Sequence, residues 1–269
     1  MSQILRRYSM VKVACIQMDI EHCNKKTNIE KALAMANRGL AMGAEIIVFP
    51  EVFSTGFCYE QMDKLAEKSP YPTVGQLADF SKKNKCILIG SIVEELDAKT
   101  KPYANLGFCI ESGIIRGTYR KIHPFGEEKG HFTPGDSIQP IKLENICIGL
   151  EICYEIRFPE VARKLVLEGA DLLVTIAQFP NPRVNHWRIL GPARAVENQI
   201  PHVMCNRTGK NPTKSFPGSS MIIDALGNTL ADSGRDECII IADIDLSLAK
   251  ELSSKIPVLE DRRRDLYSN

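Results

Sequence analysis

The chain has 269 residues, with 34 basic and 33 acidic side chains for a formal charge of +1, and 44% of its positions are hydrophobic. That is a globular composition with ample apolar volume for a core, which excludes collagenous, repeat and disordered classes. Lysine and arginine are scattered rather than massed, so there is no electrostatic footprint for nucleic acid or an anionic membrane, and a small-molecule partner is expected.

Residues 1–9 read as a short N-terminal extension, in which Arg6 and Arg7 precede a strand too short and too charged for a secretory signal. No apolar run approaches the roughly 18 residues of a spanning helix, so a cytoplasmic, non-membrane protein is expected. Residues 10–269 then read as one domain. Residues 11–17 form a mostly apolar strand, 24–42 a helix with Ile29, Leu33, Ala36 and Leu40 near helical spacing, and 45–49 a buried strand ended by Pro50. Gly43 sits where a helix stop belongs. A helix over 74–84 precedes a strand at 86–93, and 103–110 with 114–121 read as a strand pair around Ser112-Gly113. Residues 122–139, with His123 and His131 among aromatic and charged neighbours, form a loop long enough to suggest function. The second half repeats the rhythm: strands at 146–152, 172–176 and 201–206, helices at 159–168 and 184–198, then short strands near 219–224 and 238–244. Two such halves predict an α/β fold, a four-layer αββα sandwich of two mixed sheets flanked by helices.

Nine cysteines, an odd number without CxxC pairs, fit neither a disulfide framework nor a zinc ribbon. Cys153 stands apart. It follows the apolar run 146–152 and precedes Arg157-Phe158-Pro159-Glu160, a helix start, so it occupies a strand-to-helix elbow close to helix-terminal N–H groups. The alternative is a small buried hydrophobe, as the mid-strand Cys15, Cys86, Cys109 and Cys147 read. A thiol nucleophile needs a base. None of the five histidines carries a cysteine-protease signature, but a partly buried carboxylate can serve, because desolvation raises its pKa. Glu51 follows a buried strand, and Lys121 ends the strand 114–120. Acid, amine and thiol at three strand ends could converge on one cleft, although a solvated loop carboxylate is the plain alternative for Glu51.

Phe49-Pro50-Glu51, Tyr119-Arg120-Lys121-Ile122-His123 and the run from Gly149 through Cys153-Tyr154-Glu155 to Glu160 resemble the three signature blocks of the nitrilase superfamily, the carbon-nitrogen hydrolases. The similarity runs from about Val11 to Tyr267. It implies a Glu51-Lys121-Cys153 triad in an αββα sandwich, a homodimer or higher homo-oligomer formed through helices flanking the elbow and the C-terminal tail, and no metal or organic cofactor. A second family glutamate follows the lysine; Glu128 is chosen here, with Glu127 as the alternative. Glu155 stands where the family often has Asp, which implies a supporting role for it.

The stretch from Phe179 to Trp187, with Arg194-Ala195 and Glu197-Asn198-Gln199, is similar to the ω-amidase branch, which deamidates 2-oxoglutaramate and related short monoamides. A distal carboxylate then needs a cation, for which Arg183 and Arg157 are candidates, Arg157 reading more simply as an ion-pair partner. Tyr154, Phe57, Phe125, Gln178 and Phe179 are candidate pocket residues, with packing as the alternative for the aromatics. N-carbamoyl-amine hydrolysis would use the same triad. A catalytically silent binding scaffold is the reading from another class, and its signature would be loss of Glu51, Lys121 or Cys153, all of which are present.

Overall fold

The computed structural model describes residues 9–267, so all but Ser9 of the expected N-terminal extension lies outside the described residues. The first apolar run is strand β1 (Met10–Gln17). Helix α1 (Lys25–Ala41) follows, with Asn24 as its cap, its side-chain oxygen accepting from the Thr27 N–H at 3.3 Å. Next come β2 (Ile46–Val48), the short α2 (Met62–Leu65), α3 (Pro72–Asn84) and β3 (Ile87–Glu95). The hairpin of β4 (Tyr103–Glu111) and β5 (Ile114–Arg120) closes through Ser112 and Gly113, both at positive φ, as a tight right-twisted turn requires. The long loop after β5 contains one helical turn, α4 (Glu128–His131).

The second half runs through β6 (Ile141–Lys142), β7 (Cys147–Ile152), a 3-10 turn at Cys153–Arg157, α5 (Pro159–Leu167), β8 (Leu172–Ala177), α6 (Val184–Asn198) and β9 (His202–Asn206). A small hairpin of β10 (Thr208–Lys210) and β11 (Ser215–Pro217) precedes β12 (Met221–Ile223), β13 (Thr229–Asp232), β14 (Cys238–Asp245), α7 (Ser247–Lys255) and α8 (Arg264–Tyr267).

Two six-stranded mixed sheets result, in the orders β14-β1-β2-β3-β4-β5 and β13-β12-β9-β8-β7-β6. Each has a parallel centre, β1-β2-β3 in one and β7-β8-β9 in the other, with antiparallel flanks. Val13, Cys15, Ile46, Val48 and Ile89 of the first sheet bury against Ile148, Leu150, Val174, Ile176 and Val203 of the second. On the outer face of the first sheet, Ala32, Met35 and Ala36 of α1 and Leu77 of α3 cover Ile16, Ile47 and Leu88. On the other side Val161, Ala162 and Leu165 of α5 cover Leu173. The predicted αββα layering is therefore the observed one. Helix α6 seats so closely on the second sheet that a Cβ at Gly191 would lie 1.8 Å from the Met204 sulfur, so a larger residue there requires Met204 to move. No helix among the described residues is long and apolar enough to cross a membrane.

Candidate active site

Parallel strands paired side by side end at the same edge of a sheet, so the turns that follow them become neighbours. Glu51 lies just beyond β2, in a segment pinned where the Val52 N–H donates to Ser91 Oγ at 2.8 Å. Lys121 continues β5, its N–H donating to the Asn105 carbonyl at 3.0 Å. Cys153 opens the elbow after β7 with φ +55°, a region that a non-glycine residue occupies only when its surroundings enforce it.

The three groups converge. Lys121 Nζ donates to Glu51 Oε1 at 2.8 Å and to Glu128 Oε1 and Oε2 at 3.0 and 2.8 Å. Glu128, and not Glu127, is thus the carboxylate that meets the lysine. Glu51 is fully buried, and it also accepts from Asn105 Nδ2 at 2.8 Å and from the Gln178 N–H at 2.9 Å. Four buried ionisable groups settle as one unit. For Lys121, burial works toward the neutral amine, but Glu128 and Glu51 outweigh it and hold the ammonium well above its ordinary range. Burial pushes Glu128 up to about 7 against the pull of Lys121. Burial also pushes the Cys153 thiol well up, with Glu51 adding to the effect and Lys121 opposing it. Burial therefore favours the neutral thiol at Cys153, and a thiol that serves as a nucleophile needs its proton removed.

Glu155 joins the lysine segment to the elbow. Its Oε2 accepts from the Ile152 N–H at 2.7 Å, and its Oε1 accepts from Tyr119 OH at 2.8 Å, the Ile122 N–H at 2.7 Å and the His123 N–H at 3.3 Å. Every partner is a donor flanking either Lys121 or Cys153. This is the supporting role expected of Glu155.

Cys153 is reached from a cavity of about 350 Å³ whose walls include Phe57, Tyr59, Phe125, Gln178, Pro180 and Phe216. Of the residues expected there, Phe57, Phe125 and Gln178 line it, whereas Phe179, Arg183, Arg157 and Tyr154 do not. Phe179 packs on Trp187 with its ring centroid 5.3 Å away. Arg183 lies over the Phe125 ring, 5.5 Å from its centroid. Arg157 stacks over Phe179 and meets the His186 ring at 3.2 Å, so its partners are an aromatic face and an imidazole rather than the carboxylate of an ion pair. The Tyr154 ring packs against Phe125. Gln178 also acts as a brace, its side chain donating to the Glu51 carbonyl at 2.8 Å and accepting from Arg207 at 3.1 Å. Asn105, Arg207, Tyr59 and the hairpin residues Asn211 to Lys214 escaped the sequence reading; Arg207 alone had a signal, a charged residue directly after a buried strand.

One disulfide forms where the cysteine pattern suggested none: Cys23 and Cys58, 35 residues apart, are joined between the loops that follow β1 and β2. The parallel pairing of those strands brings the loops together, which spacing in the chain does not reveal. The ligand atoms of His22, Cys23, Cys58 and Glu60 lie within 4.8 Å of one another. With the sulfurs bonded to each other, one imidazole and one carboxylate remain, short of a tetrahedral zinc set.

The family model for carbon-nitrogen hydrolases matches residues 12–253. A 2-oxoglutaramate amidase of Bacillus subtilis (strain 168) is 36% identical over 258 residues, covering 95% of this chain and 98% of that one. The Omega-amidase NIT2 of Homo sapiens is 31% identical over 96% of both chains. The crystal structure of Saccharomyces cerevisiae Nit3, described as a member of branch 10 of the nitrilase superfamily, superposes with a TM-score of 0.87 at 28% identity, covering 97% of this chain and 99% of that one. With its signature residues gathered in one cleft of a shared fold, the chain belongs to the carbon-nitrogen hydrolase family, the nitrilase superfamily.

Proposed function

We propose that this amidase of the nitrilase superfamily is an ω-amidase, releasing ammonia from short monoamides such as 2-oxoglutaramate, with Glu51, Lys121 and Cys153 as its catalytic residues and residues 10–269 as a single catalytic domain. The carrying observation is the buried hydrogen-bonded series from Glu128 through Lys121 to Glu51, beside the Cys153 thiol that lines the cavity. The relatives named 2-oxoglutaramate amidase and omega-amidase support the substrate class.

In this scheme Glu51 takes the Cys153 proton as the sulfur attacks the amide carbonyl carbon. Lys121 Nζ and the Tyr154 N–H hold the oxyanion, an arrangement worth about 10² to 10³ in rate per donor. Glu51 returns the proton to the departing nitrogen, the C–N bond breaks, and a thioester and ammonia result. Glu51 then deprotonates water, the new C–O bond forms, the C–S bond breaks, and the proton goes back to the thiol. Glu128 keeps Lys121 charged and in position, and the scheme uses protein groups only. Ammonia release from 2-oxoglutaramate, measured for the wild type and Cys153→Ala together, tests the reading. Release by the wild type alone supports it, activity in Cys153→Ala removes the nucleophile assignment, and silence in both with turnover of an N-carbamoyl amine moves the substrate class.

The reading includes a homodimer in the cytoplasm. Ile189 and Val196, seven residues apart on one face of α6, are 67% and 51% exposed, and Ile256 of the tail is 61% exposed. That apolar surface suits a second copy of the chain, and Val196→Asp would shift the sedimentation coefficient to that of a monomer.

A further inference from the structure

The cavity mouth is acidic. Glu60 and Glu127 are exposed and line it, while Glu128 deeper in is matched by Lys121. An anionic amide entering such a mouth meets repulsion unless a cation receives its charged end, and most of the cations nearby are engaged. Lys121 is held by Glu51 and Glu128. Arg207 donates to Asp19 Oδ1, the Ile20 carbonyl, Gln178 Oε1 and its own neighbour's carbonyl at Thr208. Arg157 is stacked and hydrogen-bonded, and Arg183 lies outside the lining.

Lys214 differs on each count. It is the only lysine or arginine lining the cavity that Cys153 lines, and among the described residues its side chain has no hydrogen bond or ion pair. Its backbone, in contrast, is fixed. Asn211 Oδ1 accepts from the Lys214 N–H at 2.7 Å and the Thr213 N–H at 3.0 Å, and the Asn211 N–H donates to the Lys214 carbonyl at 2.9 Å. The next residue, Ser215, accepts from the Asn181 N–H at 3.0 Å, which anchors the hairpin to the loop that carries Gln178. A held turn that places an exposed, unpaired lysine in the cavity lining provides an anchor for a charge on a substrate without another partner to displace.

We propose that Lys214 is the specificity-determining residue of this site, receiving the carboxylate of an anionic amide and so favouring monoamides of dicarboxylic acids over neutral amides of equal length. This rests on the amidase reading above and replaces Arg183 as the carboxylate partner. The test compares kcat/KM for 2-oxoglutaramate, glutaramate and the neutral pentanamide in the wild type, Lys214→Ala, Lys214→Arg and Lys210→Ala, the last an exposed lysine of the same hairpin outside the lining. Loss of one charge-assisted hydrogen bond predicts that Lys214→Ala loses roughly 10- to 100-fold on both anionic amides, mainly through KM. Pentanamide turnover should stay within about twofold, Lys214→Arg should restore most of the loss, and added salt should narrow the gap between wild type and Lys214→Ala. An equal change on pentanamide, or no change on glutaramate, overturns the proposal. If the wild type prefers glutaramate to pentanamide through Lys214 yet leaves 2-oxoglutaramate untouched, the anchor stands and the ω-amidase assignment falls. A wild type without preference for anionic amides refutes both.

Discussion

Replacing Glu155 by Gln keeps the volume and changes one oxygen into an NH2 donor. All four partners of Glu155 donate to it, three on Oε1 and one on Oε2. The best placement keeps the amide oxygen at the Oε1 position and turns the NH2 toward the Ile152 N–H, so two donors face each other in a fully buried site. The loss of one hydrogen bond to a charged acceptor and the orphaning of a buried N–H together cost about 2–3 kcal/mol. For a chain of this size that is a drop in Tm of roughly 4–10 °C. The freed N–H belongs to the residue before Cys153, so the elbow shifts and kcat should fall while KM changes little. Urea unfolding followed by tryptophan fluorescence and ammonia release at saturating substrate read the two effects. The shorter Glu155→Asp should recover part of both. If Glu155→Gln unfolds within 0.5 kcal/mol of wild type with kcat intact, Glu155 is not the tie between the lysine segment and the nucleophile.

Three further perturbations have defined outcomes. Glu51→Gln removes the proposed proton acceptor and should lower kcat/KM about 10²- to 10⁴-fold; a smaller effect in stopped-time ammonia assays would place the base elsewhere. Glu151, buried with one oxygen lacking a partner, is pushed up to about 8 by burial, so the folded state holds its proton between the unfolded pKa near 4.5 and 8, and wild-type stability falls as pH rises through that window. Against Glu151→Gln the difference should change by about 1.4 kcal/mol per pH unit, and a flat difference from pH 5 to 8 would contradict it. Cys58→Ser opens a crosslink spanning 35 residues, for which chain entropy gives an upper cost of about 4 kcal/mol; a Tm unchanged under non-reducing conditions would mean the bond does not form in solution.

Much of the architecture follows from local pattern. Strand β1, helix α1, the Ser112-Gly113 turn and helix α6 lie within a residue or two of where periodicity and turn residues place them. The omissions are short or exposed elements, such as the β10-β11 hairpin, β13 with its mostly exposed pattern, and helix α7 with no buried residue. The strands among them are three or four residues long, too short a window for periodicity to register, and β10-β11 and β12-β13 pair as local hairpins.

The site divides in the same way. Glu51 and Cys153 were legible because each follows an apolar strand, and Lys121 because it closes the second strand of a hairpin, properties of a few consecutive residues that the family blocks reinforce. Whether Glu127 or Glu128 meets the lysine depends on a single helical turn, α4, and only the folded loop decides it. Phe179 and Arg183 sit in a motif-like stretch, yet one is drawn into the core by Trp187 and the other remains outside the cavity lining. The disulfide, the Asn105 and Gln178 braces on Glu51, and Lys214 at the mouth join segments 35 to 127 residues apart or meet across a shared cavity. Burial periodicity and turn geometry act over a few residues, so most core strands, the elbow and the chemical types at the strand ends could be read from local pattern. Tertiary structure alone decided which distant side chains face one another, because that depends on how two sheets pack and on where the strand pairing sets each loop.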